Sequence, residues 1–251
     1  MASPPTPDQI AIIIPTLNEA ENVEPLLRQI MAELPLCAEI ILVDDGSTDG
    51  TQSRVRALES SLPVRLLERP SPTLGLAGAV MTGARAARAA ILVVMDADLS
   101  HPPGEIAGLV APVASGRADM VIGSRYVKGG STPGWPIYRR MMSRVAAAVA
   151  YPLTGVHDSM CGFFAIRRTL LLELAPVSTG FKIAFETIVR GRHQLRVIER
   201  PIAFRDRARG TSKMTARVAL IFSVRWLSAT LRMLFKRRRS LPAALSDAPP
   251  V

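Results

Sequence analysis

The stretch Ile91-Leu92-Val93-Val94-Met95-Asp96-Ala97-Asp98-Leu99-Ser100-His101-Pro102-Pro103 decides the fold. Five apolar residues run straight into two acids. A short apolar run closed by a polar turn reads as a buried strand. The acids then stand at its C-terminal mouth, where open α/β sheets bind their ligands. Two carboxylates this close repel each other, so the pair is costly without a cation. Mg²⁺ or Mn²⁺ is the expected partner, because hard divalent ions take carboxylate and diphosphate oxygens. A lone Asp-x-Asp can equally be a solvated acidic turn, and the rest of the chain has to decide.

Outward from that strand the same pattern repeats. Apolar runs occur at Ile10–Ile14, Glu39–Val43, Val64–Leu67 and Asp119–Ile122. Helix-like segments separate them, at Ala20–Leu34, Thr48–Ser60, Leu76–Ala89 and Gly104–Ser115. Strands alternating with helices predict βαβ units and a mostly parallel sheet. The loop after the first strand is Pro15-Thr16-Leu17-Asn18-Glu19 and lacks G-x-G-x-x-G, which counts against a dinucleotide fold. Asn18 or Glu19 there can cap the next helix. After the second strand, Asp44-Asp45-Gly46-Ser47 makes a tight turn with Ser47 as an N-cap, yet two acids exceed what a turn needs. One of them can accept hydrogen bonds from a ribose or a base. Gly75, Gly78 and Gly83 follow the third strand and fit close helix packing as well as phosphate binding. Three strand ends thus carry acids on one sheet edge, which describes a nucleotide–metal site.

The 251 residues divide sharply by charge. Residues 1–124 hold 8 Lys/Arg and 15 Asp/Glu; residues 125–251 hold 23 and 6. An acidic half and a basic half suggest two tasks, the second facing a phosphorylated substrate, an anionic membrane or nucleic acid. Few aromatics accompany the charge, against a stacking nucleic-acid platform. No run of eighteen apolar residues predicts a spanning helix, and residues 1–8 show no secretory signal. Cys37 and Cys161 read as buried thiols in a reducing compartment.

Five motifs in order carry a resemblance: IAIIIPTLNEAENV (10–23), ILVDDGSTDGT (41–51), GLAGAVMTGA (75–84), VMDADLSHPP (94–103) and VIGSRYVKGG (121–130). Together they resemble the family 2 inverting glycosyltransferases of GT-A fold, and within them the dolichol- or polyprenol-phosphate mannose synthases. The match runs over roughly residues 9–215. It implies a Rossmann-like, mostly parallel sheet with flanking helices. By that resemblance Pro15, Leu17, Glu19, Val43 and Asp45 hold the nucleoside. Asp96, Ala97 and Asp98 meet the diphosphate, and Asp96, Asp98 and Ser100 hold Mg²⁺ or Mn²⁺. Leu17 replaces a frequent aromatic and Ser100 a frequent Gln. His101 beside them reads as a loop residue.

In the basic half, Arg125 follows the fifth strand in Gly123-Ser124-Arg125-Tyr126. An arginine there can grip phosphate bidentately; its competing reading is an ion pair. Asp98 and Arg125 are the catalytic candidates. The loop 129–134 leads to Trp135, to Arg139, Arg140 and Arg144, and to an apolar stretch from Val145 to Val156. That order describes either an interfacial segment or a core helix. The resemblance makes this the acceptor loop, with Arg125, Arg139, Ser143 and Arg144 near the acceptor phosphate. Asp158, in a D-x-x-C-G-F segment, either positions the acceptor or caps a turn. An edge strand is expected over Leu195–Phe204, followed by Arg207 and Lys213 as donor-phosphate ligands by resemblance.

Met214–Phe235 is apolar, with Arg217, Arg225 and Arg232 falling within about 80° on a helix of period 3.6. With Lys236–Arg239 it predicts an amphipathic interface helix and a basic patch. The expected organisation is a tail at 1–8 and a GT-A domain at 9–213, with nucleotide half 9–124 and acceptor half 125–213. The interface helix and patch at 214–239 and a disordered tail at 240–251 complete it. The expected reaction is mannose transfer from GDP-mannose to a polyprenyl or dolichyl phosphate at the cytoplasmic membrane face, alone or with a membrane-anchoring partner protein. UDP-glucose is the alternative donor. A haloacid-dehalogenase-type phosphatase and a non-catalytic basic membrane-binding protein are the rivals from other classes; neither accounts for PTLNE and DDGS together.

Overall fold

A computed structural model describes residues 10–34, 39–69, 74–175, 182–191 and 194–206. The expected interface helix, basic patch and tails lie outside the described residues, as do Cys37, Arg207 and Lys213.

The first half forms as its periodicity requires. Strand β1 (Ile10–Thr16) leads to helix α1 (Val23–Glu33), β2 (Glu39–Asp44) to α2 (Thr51–Leu58), and β3 (Val64–Glu68) to α3 (Gly75–Ala86). Then come β4 (Ile91–Val94), α4 (Ile106–Ala114) and β5 (Met120–Ser124). The second half adds α5 (Ile137–Thr154), β6 (Phe164–Arg167), α6 (Arg168–Leu174), α7 (Ile183–Gly191) and β7 (Val197–Pro201).

Seven strands make one sheet in the order β3-β2-β1-β4-β6-β5-β7. Pairings β1–β2, β1–β4, β2–β3 and β5–β7 are parallel; β6 runs antiparallel to both β4 and β5. The central strands β1, β4 and β5 are buried throughout, while the edge strands β3 and β7 are only partly so. Helices covering both faces of a sheet bury continuous Ile/Val/Leu runs in this way. The expected edge strand is there, as β7. Strand β6 was not expected: Phe164-Ala165-Ile166-Arg167 is too short to announce itself and directly follows the D-x-x-C-G-F segment.

From β1 the chain first winds towards β2 and β3, then crosses back to β4 on β1's other side. That reversal is a topological switch point, which opens a crevice at the carboxyl ends of the strands. The acid-bearing loops follow β2, β1 and β4, which are neighbours. The glycine pattern of α3 is a packing device at Gly83. A Cβ there would lie 2.7 Å from Ile13 Cγ2 and 3.2 Å from Val43 Cγ2. We predict that Gly83→Val costs about 1–3 kcal/mol through overpacking, read as a lower urea midpoint; an unchanged midpoint would contradict this close approach.

Candidate active site

The first two loops are built on each other. Asn18 sits at φ 54°, in the left-handed region that asparagine tolerates. Its N–H donates to Ser47 Oγ (2.8 Å) and its Oδ1 accepts from Thr48 N–H (2.9 Å). Glu19 N–H donates to Thr51 Oγ1 (2.9 Å) and Ala20 N–H to Asp49 Oδ2 (3.0 Å). Asn18 therefore ties loop to loop rather than capping α1, whose N-cap position is Asn22. Ser47 likewise is not the cap of α2, which begins after Gly50.

The Asp44-Asp45 pair divides its labour. Asp44 is fully buried and accepts from the N–H groups of Gly46 (3.0 Å) and Ser47 (2.9 Å), from the Ser47 hydroxyl and from Gln52 Nε2 (2.7 Å). It builds the turn. Asp45 keeps some exposure and pairs with Arg69 Nη1 at 2.8 Å. Burial pushes the Asp45 carboxyl up, Arg69 opposes this, and Asp44 adds to the rise. Asp45 is the acid free to meet a ligand's N–H or hydroxyl. Pro15 and Val43 are register partners across β1 and β2, buried beneath it, and Leu17 is exposed at the rim.

At the Asp-x-Asp turn, Leu99 takes φ 62° and Asp98 Oδ1 accepts from Ser100 N–H at 3.1 Å. Ala97, between the two acids, is buried. His101 is not a passive loop residue. It is completely buried, stacked on Phe163 (5.1 Å) and met edge-on by Phe204 (5.3 Å). Its Nδ1 accepts from Asp96 N–H at 3.0 Å, so the neutral ring carries its proton on Nε2, 3.9 Å from Asp96 Oδ2. Burial holds its pKa below the ordinary imidazole value, against the pull of Asp96 and Asp98. A neutral aromatic wall thus supports the turn. The Asp96 side chain remains 36% exposed; Asp98 is buried, and the buried Ser100 Oγ has no partner among the described residues. Two carboxylates and an unpartnered hydroxyl are a hard-oxygen set that fits Mg²⁺ or Mn²⁺. No group of three or more His, Cys, Asp or Glu side chains placed to hold a metal occurs among the described residues. Protein oxygens would therefore furnish only part of a coordination shell, as usual for an ion shared with phosphates.

Arg125 departs from expectation. Its Nε donates to Asp158 Oδ2 and its Nη2 to Oδ1, both at 2.7 Å, and its backbone N–H adds a third bond at 2.9 Å. Asp158 is fully buried, and its own N–H donates to Glu199 Oε1 (3.0 Å). His157 N–H and Nδ1 both reach Glu199 Oε2 at 2.8 Å. Burial works against the charge on Arg125, but Asp158 more than offsets it and raises the guanidinium pKa. The Nε/Nη2 side of Arg125 is taken by Asp158, which leaves the Nη1 protons and the second Nη2 proton for a ligand.

A cavity of about 260 Å³ opens beside it, lined by Arg125, Arg140 and Arg144 together with Ser131 and Thr132. Arg139 lies 4.0 Å over the Trp135 ring, which Arg125 also meets at 5.5 Å, and donates to Asp206 Oδ1 (2.9 Å). Arg140, one residue on and turned by about 100° on the helix, lines the cavity. Ser143 accepts from Tyr126 OH and so orients that ring. Lys182 was overlooked in the sequence. It is half-buried, its Nζ 3.5 Å from Met160 O, and desolvation together with Arg125 holds its pKa down. The signal was a single lysine between Phe181 and Ile183 in an apolar run. Helix α5 is two-sided: Ala147, Ala150, Leu153 and Thr154 are buried, while Ile137 is 74% exposed and Tyr138, Met141, Met142, Val145 and Val149 share an open apolar side. No described helix is long and apolar enough to cross a membrane.

The family model for glycosyl transferase family 2 matches residues 11–175. A dolichol-phosphate mannosyltransferase of Pyrococcus furiosus is 42% identical over 213 residues, 82% of this chain and 59% of that protein. A dolichol-phosphate mannosyltransferase of Saccharomyces cerevisiae is 34% identical, covering 84% of this chain and 83% of its own. A polyprenol monophosphomannose synthase of Mycolicibacterium smegmatis is 37% identical, at 81% and 80%. Among solved structures, glucosyl-3-phosphoglycerate synthase of Mycobacterium tuberculosis superposes with a TM-score of 0.66 at 22% identity, over 88% of this chain and 78% of that one. At that identity the likeness concerns the fold, which is GT-A.

Removing one partner of a buried ion pair strands the other. We predict that Asp158→Ala lowers stability by about 3–5 kcal/mol in chemical denaturation; a loss below about 1 kcal/mol, the scale of a surface pair, would contradict the buried pair. Burial also pushes the Cys161 thiol up to about 12. Iodoacetamide at pH 8 is therefore expected to leave Cys161 unmodified in the native protein and to alkylate it in urea, as read by peptide mass spectrometry.

Proposed function

The chain belongs to glycosyl transferase family 2, and from that premise we propose that it transfers mannose from GDP-mannose to a polyprenyl monophosphate, with inversion at the anomeric carbon. The observation that carries this reading is the pairing of two sites: an Asp-x-Asp turn at the switch-point crevice and an arginine-lined cavity of acceptor-phosphate character. Membership in the family sets aside the phosphatase and the non-catalytic readings. The names of the mannosyltransferase relatives support the sugar and the lipid phosphate; the chain spans 59% of the Pyrococcus furiosus relative's length.

Asp45 receives the base or ribose, above the floor made by Pro15 and Val43, with Leu17 and Glu19 at the loop. Asp96, Asp98 and the Ser100 hydroxyl would hold Mg²⁺ or Mn²⁺, and Arg207 and Lys213 would add cations to the diphosphate. When bound, the ion supplies Lewis-acid stabilisation of the charge that the departing diphosphate gains. Arg125, Arg139, Ser143 and Arg144, with Arg140 beside them, orient the acceptor phosphate. One of its oxygens attacks the anomeric carbon, a C–O bond forms, the bond to GDP breaks, and the electron pair leaves on the diphosphate. A phosphate with a second pKa near 6 is ionised at neutral pH, so no side-chain base is required. Asp158, filled by three Arg125 donors, acts by holding that arginine rather than by taking a proton.

The apolar side of α5, bordered by arginines, suits the interface of a membrane in which such a lipid resides. The protein then works peripherally on the cytoplasmic face, with the 214–239 segment and a partner protein as further anchors. UDP-glucose remains the alternative donor within the same fold.

The test is transfer of radiolabelled sugar from GDP-mannose, with UDP-glucose in parallel, to a short polyprenyl phosphate. Metal-dependent label in the lipid phase, abolished by EDTA, is expected. Asp98→Ala should reduce it at least about 100-fold, since even outer-shell changes at metal sites cost roughly 10–100-fold. Label from UDP-glucose alone would change the donor; no transfer from any nucleotide-sugar would overturn the reading.

A further inference from the structure

Beside the arginine-lined cavity lies a larger hollow of about 450 Å³. Its walls are Ala147, Ala148 and Tyr151 of α5, with Tyr126, Arg144 and His157. Its size falls within the roughly 300–1,000 Å³ of ligand pockets. Its chemistry is unlike that of its neighbour. Two alanines and two phenol rings supply most of the wall. The Tyr126 hydroxyl is engaged by Ser143, and His157 Nδ1 by Glu199. Apart from the Arg144 guanidinium, the Tyr151 hydroxyl and His157 Nε2, the wall is apolar, and the small side chains of Ala147 and Ala148 make the room.

The two hollows share two residues, Tyr126 and Arg144. The Arg144 guanidinium lies 5.9 Å from the centre of the Tyr126 ring. A cationic chamber and an apolar chamber with a common wall match a molecule that changes from anion to hydrocarbon across one ester bond. We propose that the larger hollow takes the first isoprene units of the acceptor, with its phosphate in the arginine cavity and the junction at Tyr126 and Arg144. This rests on the polyprenyl-phosphate reading above and deepens it. The protein would then hold the chain next to the phosphate itself, while the outward side of α5, with Met141, Met142 and Val145, meets the membrane.

The experiment is calorimetric titration of the full chain with inorganic phosphate and with prenyl monophosphates of one and three isoprene units, kept below their micelle concentrations. Burying even two methylene-sized groups multiplies affinity about tenfold. Three units are therefore expected to bind about tenfold tighter than one. Ala148 is exposed, so Ala148→Trp fills the hollow without entering the core; Tyr151→Ala removes a wall. In both variants the gain from chain length should fall to about twofold or less. Equal affinity for one and three units in the unmodified protein would overturn the inference. So would a gain that survives both variants, or one lost instead in Met141→Ser and Val145→Ser, which would put the chain on the outer side. Label transfer is measured separately on the same samples. A hollow-dependent gain without sugar transfer would keep the chain-binding site and discard the mannosyl-transfer reading.

Discussion

A buried ion pair, Arg125 with Asp158, holds the second half of the molecule together. Neither group has more than slight contact with solvent, so each depends on the other for the solvation it lost. Such a pair contributes little net stability but is expensive to break. It joins the end of β5 to the segment before β6. Glu199 extends it to β7 by accepting from the backbone of His157 and Asp158. Three rings, Tyr126, Trp135 and Phe204, surround the guanidinium at 5.2–5.5 Å, where their faces favour a cation.

Phe204 carries this organisation across to the other site. The same ring meets Arg125, Trp135 and His101, and His101 holds the backbone of Asp96. The acid turn and the arginine cavity are therefore not independent attachments to the sheet. A change in the Phe204 ring touches both. The neutrality of His101 matters here: a protonated ring could not accept the Asp96 N–H at Nδ1.

Within each acidic loop, one acid builds and another faces outward. Asp44 and Asp98 accept from backbone N–H groups of their own turns, while Asp45 and Asp96 keep exposed edges. The adjacent acids of a motif thus have different environments, and sequence spacing alone does not say which is which. Asp44 and Asp45 look interchangeable as text; the Gly46–Ser47 turn and Arg69 distinguish them.

The βαβ order, the parallel half of the sheet and the three acid-bearing loops were legible because apolar runs and breakers act locally, through periodicity and backbone preference. The edge strand after Leu195 was legible for the same reason. Strand β6 was not, since four residues become a strand only when β4 and β5 offer ladders on both sides. The setting of Lys182, the work of His101 and the stacking of Arg139 on Trp135 were also closed to the sequence. Each depends on where a side chain points relative to groups far along the chain. Charge pattern alone determined that cations gather in the second half; only the tertiary structure decided that Asp158 would claim the bidentate face of Arg125, because a buried carboxylate must be satisfied by whichever cation the fold brings to it.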